Sequence, residues 1–115
     1  MADLVLYGLK NCDTCKKAIK ALETAGHTVS FVDIRAQANL EATLPVWLTQ
    51  AGPEALVNTR STTWRGLSDA EKAQAQRDPH ALLEANPALI KRPVIERGGA
   101  VTVGWTKEVQ AAHGV

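Results

Sequence analysis

The amino-acid sequence predicts one α/β domain whose elements run β-α-β, then a helical stretch, then β-β-α. Three observations carry this. An apolar run, Leu4-Val5-Leu6-Tyr7, leads through a loop into residues of helical periodicity and then a β-branched run. Helix caps follow one another between about 37 and 87 with no strand-like alternation. Two β-branched runs near the C-terminus flank Gly98-Gly99. At 115 residues the chain has room for one ordinary hydrophobic core, so the elements belong to a single domain spanning 1–115. Its core falls at 1–36 and 88–115, with a helical insertion at about 37–87.

The first strand is short and apolar throughout, as expected of a strand buried on both faces, and Gly8 punctuates it. From Cys12 onward Cys15, Ala18, Ile19, Leu22 and Ala25 recur at helical spacing, while Lys16, Lys17, Lys20 and Glu23 take the other face. Gly26 stands where a helix C-terminus favours glycine. Thr28 to Ile34 reads as the second strand, and a strand-helix-strand of this length implies a parallel pair with a right-handed crossover.

Leu44, Trp47, Leu48 and Ala51 mark a helix ended by Gly52-Pro53. Pro45 fits it only in the first turn, where a missing N–H costs nothing. Ser68-Asp69-Ala70-Glu71 is a capping-box pattern, and Asp78-Pro79 starts another helix that Asn86-Pro87 stops. Pro93 to Arg97 and Ala100 to Val103 form a hairpin, since both positions of its two-residue turn need positive φ. Thr106 caps a last helix through Ala112.

Composition narrows the function classes. Thirteen basic and twelve acidic residues leave a formal charge of +1, so no global field recruits nucleic acid or an anionic membrane. The N-terminus reads as a strand and not as a signal peptide, which predicts a cytoplasmic protein. In that reducing compartment two cysteines at CxxC spacing point to catalysis or metal binding before a permanent disulfide. His27, His80 and His113 are scattered and complete no four-ligand zinc site, so no metal is expected.

The chemistry concentrates at Cys12. The segment Gly8-Leu9-Lys10-Asn11-Cys12 connects the carboxyl end of a parallel strand to the start of a helix. Open α/β sheets bind ligands there, and free N–H groups favour an anion such as a thiolate. One guanidinium at about 4 Å contributes on the order of 4 kcal/mol at an effective dielectric of about 20, enough to activate a thiol before desolvation is subtracted. A Cys-x5-Arg anion loop is excluded, because Ala18 stands where its arginine would be. Any arginine serving Cys12 comes from elsewhere in the chain. Cys15, one turn on, is either a resolving thiol or a small buried apolar residue. Taken alone, Lys10, Lys16, Lys91 and Arg65 are solvated surface charges.

Three ordered segments resemble the ArsC/Spx family, and most of all its YffB-like branch: 7–18 (YGLKNCDTCKKA), 56–65 (LVNTRSTTWR) and 90–94 (IKRPV). The resemblance covers essentially the whole chain. It implies a thioredoxin-like fold with a helical insertion. It implies that Cys12 is the nucleophile, that Arg60 and Arg92 supply positive charge to the thiolate or to a bound oxyanion, and that Pro93 is a cis-proline facing the thiol. Lys10 and Asn11, with Pro93, become candidates for binding substrate or thiol.

The implied function is a glutathione-dependent thiol reductase, arsenate reductase-like, that takes a small oxyanion or an oxidised thiol and has glutathione and glutaredoxin as partners. Arsenate reductases of this type carry a third arginine on the last hairpin, and Val103-Gly104-Trp105-Thr106 has none, which points away from arsenate reduction itself. The alternative is an Spx-like redox-sensing regulator that docks on the RNA polymerase α subunit and senses oxidation through Cys12 and Cys15.

Overall fold

β1 (Leu4–Gly8) alternates little in burial, as its unbroken apolar sequence requires, and lies inside a four-stranded sheet ordered β2-β1-β3-β4. The computed structural model describes residues 3–36 and 38–115. They form two compact units. One comprises the segments up to Ala38 and from Arg92 onward, and the other spans Asn39–Lys91.

In the first unit α1 (Asp13–Thr24) crosses from β1 to β2 (Val29–Asp33), which pairs parallel to β1 with Gly8 opposite Asp33. β3 (Val94–Arg97) pairs antiparallel to β1, and β4 (Ala100–Val103) antiparallel to β3. The turn between them has Gly98 at φ 56° and Gly99 at φ 84°, a conformation most side chains resist. α2 here denotes the last helix of this unit, Lys107–Ala112, capped by the Thr106 hydroxyl, which accepts from the Val109 N–H. A mixed sheet in this order, with a parallel βαβ opening and an antiparallel hairpin, is the thioredoxin-like fold.

Leu4, Leu6, Cys15, Ala18, Leu22 and Ile95 form the core of this unit, with Ile19, Val29, Phe31, Trp105 and Val109 packed against them. The apolar stripe of α1 therefore faces the sheet, and Cys15 belongs to that stripe. Tyr7 donates its hydroxyl hydrogen to Glu96 at 2.9 Å, tying β1 to β3.

A second polar tie joins residues far apart in sequence. His27 Nδ1 pairs with the Asp3 carboxylate, and His27 Nε2 donates to the His113 carbonyl at 2.6 Å. Both ring nitrogens face acceptors, so only the imidazolium satisfies both. Its pKa is accordingly raised, chiefly by Asp3 and then by the His113 carbonyl. His113 is buried and shares a hydrogen bond with Thr102 at 2.9 Å, and burial pushes its own pKa down.

A raised histidine contributes stability that is complete below its unfolded value of about 6.5 and is lost as pH rises through the folded value. His27→Ala is thus expected to lower the urea midpoint more at about pH 6 than at about pH 9. Equal losses at both would show that the charge of His27 contributes nothing.

The second unit is helical: α3 (Leu40–Ala51), α4 (Pro53–Leu56), α5 (Thr62–Arg65), α6 (Asp69–Arg77) and α7 (Pro79–Ala85), then a 3₁₀ turn at Pro87–Leu89. Leu40, Leu44, Trp47, Leu56, Leu82, Leu83 and Leu89 are buried. Ser68 and Glu71 make the full capping box, and Asp78 caps α7 by accepting from the Ala81 N–H.

The expected place of Pro45 is corrected here. α3 begins at Leu40, so Pro45 lies in its interior and not in its first turn. The Asn39 side chain accepts from the Ala42 N–H and starts the helix early. The buried row Leu40, Leu44, Trp47 then holds it against the loss of one backbone donor. Among the described residues no helix is long and apolar enough to cross a membrane.

Candidate active site

Cys12 is the N-cap of α1, with extended backbone at φ −89° and ψ 113°. Its N–H donates to the Leu9 carbonyl at 3.2 Å, closing the turn that leaves β1, and its own carbonyl accepts the first helical bond from the Lys16 N–H at 3.0 Å. The position an Asp or Ser usually holds is taken here by sulfur. Cys12 Sγ accepts from the Cys15 N–H at 3.4 Å, one of the donors a helix start leaves over.

The sulfur is therefore placed by the backbone and stabilised by what surrounds it. Burial opposes ionisation of Cys12 and is the largest single influence. Hydrogen bonds from the Cys15 side chain, the Cys15 backbone and the Arg92 guanidinium, with the charge of Arg92, together outweigh it and lower the pKa below the ordinary thiol value. Cys15 moves the other way. It is fully buried, and burial first, then its hydrogen bond to Cys12, push its pKa up to about 12. The two thiols move apart: Cys15 is the poorer acid and donates, and Cys12 is the one whose ionisation its surroundings favour. Neither forms a disulfide here.

Gly8 makes room for this pair. A Cβ on Gly8 would stand 2.5 Å from Cys15 Sγ and 3.3 Å from its Cβ. Gly8→Ala is expected to destabilise the fold by about 1–3 kcal/mol, the usual scale of overpacking. Adding Cys15→Ala should restore most of that loss in urea denaturation. A double variant no more stable than Gly8→Ala alone would show that the strain lies elsewhere.

Arg92 precedes Pro93, and the peptide bond between them is cis. Pro93 is buried, and its carbonyl accepts from the Gly104 N–H at 2.8 Å, which joins the start of β3 to the end of β4. Arg97, at the other end of β3, acts on Asp3, His27 and His113.

Around Cys12 opens a cleft of about 470 Å³, lined by Leu9, Lys10, Asn11, Cys12, Asp33, Arg35, Ala36 and Arg92. Of the residues the sequence singled out, Cys12, Arg92, Lys10 and Asn11 meet in it. Cys15 lies beneath Cys12 on the core face of α1. Arg60 belongs to the second unit, where it is exposed. Its N–H donates to Asn58 Oδ1 at 3.1 Å and its carbonyl accepts from Arg65 Nη2 at 3.1 Å, so a hydrogen-bonded turn presents its side chain.

Sequence reasoning missed Asp33 and Arg35. They reach the cleft because β2 runs parallel to β1, so their carboxyl ends are neighbours. Gly8 pairs with Asp33, and the Ile34 N–H donates to the Gly8 carbonyl at 2.9 Å. Asp33 Oδ1 then accepts from the N–H groups of Arg35 and Ala36 at 2.8 and 3.0 Å, folding the chain over into the cleft wall. The available signal was a charged residue just past the end of a strand parallel to β1. Among the described residues no three His, Cys, Asp or Glu side chains gather to hold a metal ion.

A cysteine with a lowered pKa beside Lys10, Arg35 and Arg92, in a cleft of a thioredoxin-like sheet, narrows the family, and comparison with known proteins agrees. The model of the ArsC family matches residues 7–112. An uncharacterized protein of Haemophilus influenzae is 40% identical over 111 residues, covering 95% of this chain and 97% of that one. The solved structure of the YFFB (PA3664) protein is 36% identical, with a TM-score of 0.82 over 96% of this chain and 97% of that one. The global transcriptional regulator Spx of Bacillus subtilis is 25% identical over 109 residues, covering 91% of this chain and 82% of that one. The chain belongs to the ArsC family.

Proposed function

We propose that the protein is a thiol reductase in which the Cys12 thiolate attacks an oxidised sulfur or a small oxyanion, with glutathione as the reductant that completes turnover. The observation that carries this is the environment of Cys12 Sγ, held at a helix start by the Cys15 N–H and by Arg92 and facing a cleft. With a disulfide RS–SR′, Cys12–S⁻ forms a new S–S bond to one sulfur as the old bond breaks, and R′S⁻ leaves. A second thiolate then attacks the mixed disulfide and returns Cys12–S⁻.

Burial and a pKa near 12 make Cys15 a poor thiolate at neutral pH, which favours external glutathione for this second step. Lys10 and Arg92 place positive charge beside the leaving group, and Asn11 offers an amide to the substrate. Glutaredoxin is the expected protein partner when the substrate is an oxyanion, and the setting is the cytoplasm.

Incubation with oxidised glutathione followed by peptide mass spectrometry tests this. A glutathione adduct on Cys12, removed by reduced glutathione, is expected. No adduct, or one confined to Cys15, would overturn the reading.

A second reading has its own support. Cys12 and Cys15 touch across one helical turn, as a redox-sensing pair requires, and the chain is related to Spx. Binding to the C-terminal domain of the RNA polymerase α subunit that changes with the oxidation of these cysteines would establish it. Absence of binding in both redox states would remove it.

A further inference from the structure

We propose that Arg35 is a specificity residue that recognises a carboxylate of the thiol reductant, so that the cleft selects carboxylate-bearing thiols over neutral ones. This rests on the thiol-reductase reading above.

Three observations support it. Arg35 lines the same cleft as Cys12, yet the groups that set the ionisation of Cys12 are burial, Cys15 and Arg92, so Arg35 serves another part of the ligand. Among the described residues the Arg35 guanidinium has no hydrogen-bond or ion-pair partner, while its backbone is fixed by Asp33 and by the parallel register of Gly8 with Asp33. A cation on a fixed backbone with no internal partner is available to an anion from outside. The third is size. A tetrahedral oxyanion fills the space of a few water molecules at about 30 Å³ each, far less than this cleft of about 470 Å³. A tripeptide thiol with its sulfur at Cys12 would extend along the wall that carries Lys10 and Arg35, and a guanidinium fork suits a carboxylate there.

S-methylglutathione is the probe, because its blocked sulfur cannot exchange and binding is read apart from chemistry. Arg35→Ala should weaken its binding about tenfold, a charge-assisted contact discounted for solvent exposure. Arg35→Lys should recover part of the affinity. The dimethyl ester of the probe should bind both proteins equally weakly, and Lys107→Ala, away from the cleft, should change nothing.

Arg35→Ala should keep the urea midpoint of the unaltered protein, which a structural role for Arg35 in the cleft wall would not allow. Unchanged affinity in Arg35→Ala, or an equal loss for the ester, would overturn the assignment. So would a loss confined to inorganic phosphate, which would make Arg35 an oxyanion ligand instead. Failure of the thiol-reductase reading is seen separately, as the absence of any glutathione adduct on Cys12.

Discussion

Cys12→Ser is expected to abolish reduction of a small disulfide by glutathione, with a fall on the order of 10³-fold or more, the scale seen when a covalent nucleophile is removed. Serine keeps the cap, since its hydroxyl oxygen accepts from the Cys15 N–H as sulfur does. The fold and its urea midpoint should therefore change little, and the loss belongs to chemistry. Cys15→Ala is the informative contrast. It removes a buried sulfur that donates to Cys12 but leaves the nucleophile, so turnover with glutathione should persist at a reduced rate. The measurement is steady-state oxidation of glutathione on a hydroxyethyl disulfide substrate. Equal turnover by Cys12→Ser and the unaltered protein would mean that Cys12 does not react. Complete loss in Cys15→Ala with a normal fold would make Cys15 the obligatory resolving thiol.

Arg92→Ala carries the second large effect. The guanidinium both hydrogen-bonds to Cys12 and lends it positive charge, while burial pushes the other way. Without Arg92 the burial penalty is opposed only by Cys15, and the Cys12 titration moves up toward the free-thiol range. At about pH 6 the fraction of thiolate falls, and alkylation of Cys12 should slow by about tenfold or more. At high pH, where both proteins are ionised, the rates should converge. That convergence separates an electrostatic role from a collapsed site, which would slow the reaction at every pH. Arg92→Lys should recover part of the low-pH rate, since it keeps the charge and loses the planar fork.

Much of the fold was legible in the sequence because its signals are local. The apolar stripe from Cys15 to Leu22, the Ser68–Glu71 capping box and Gly98-Gly99 each depend on residues within a turn or two of each other. Pro45 misled because the rule against interior proline is also local. The buried row of α3 that overrides it is a matter of packing. The one-turn helices α4 and α5 are too short to show a period.

The site divides along the same line. Cys12 was legible because a strand, a loop and a helix start meet at one point of the chain. Its link to Arg92 spans 80 positions and came from family resemblance, since nothing in the spacing requires it. Asp33 and Arg35 were invisible for a third reason. Their place in the cleft depends on which edge of β1 the strand β2 joins and in what register, and that is decided by the crossover of α1. The His27 tie to Asp3 and His113 is tertiary in the same way, joining the entrance of β1 to the end of the last helix.

The central claim is that the surroundings of Cys12 Sγ lower its pKa below that of an ordinary thiol. The rate of iodoacetamide alkylation at Cys12, followed by peptide mass spectrometry across pH, tests it most directly. A single transition is expected at Cys12, at lower pH than that of an unperturbed thiol peptide alkylated alongside, with Cys15 unlabelled over the same range. A Cys12 transition at or above that of the peptide, or labelling of Cys15 ahead of Cys12, would contradict it.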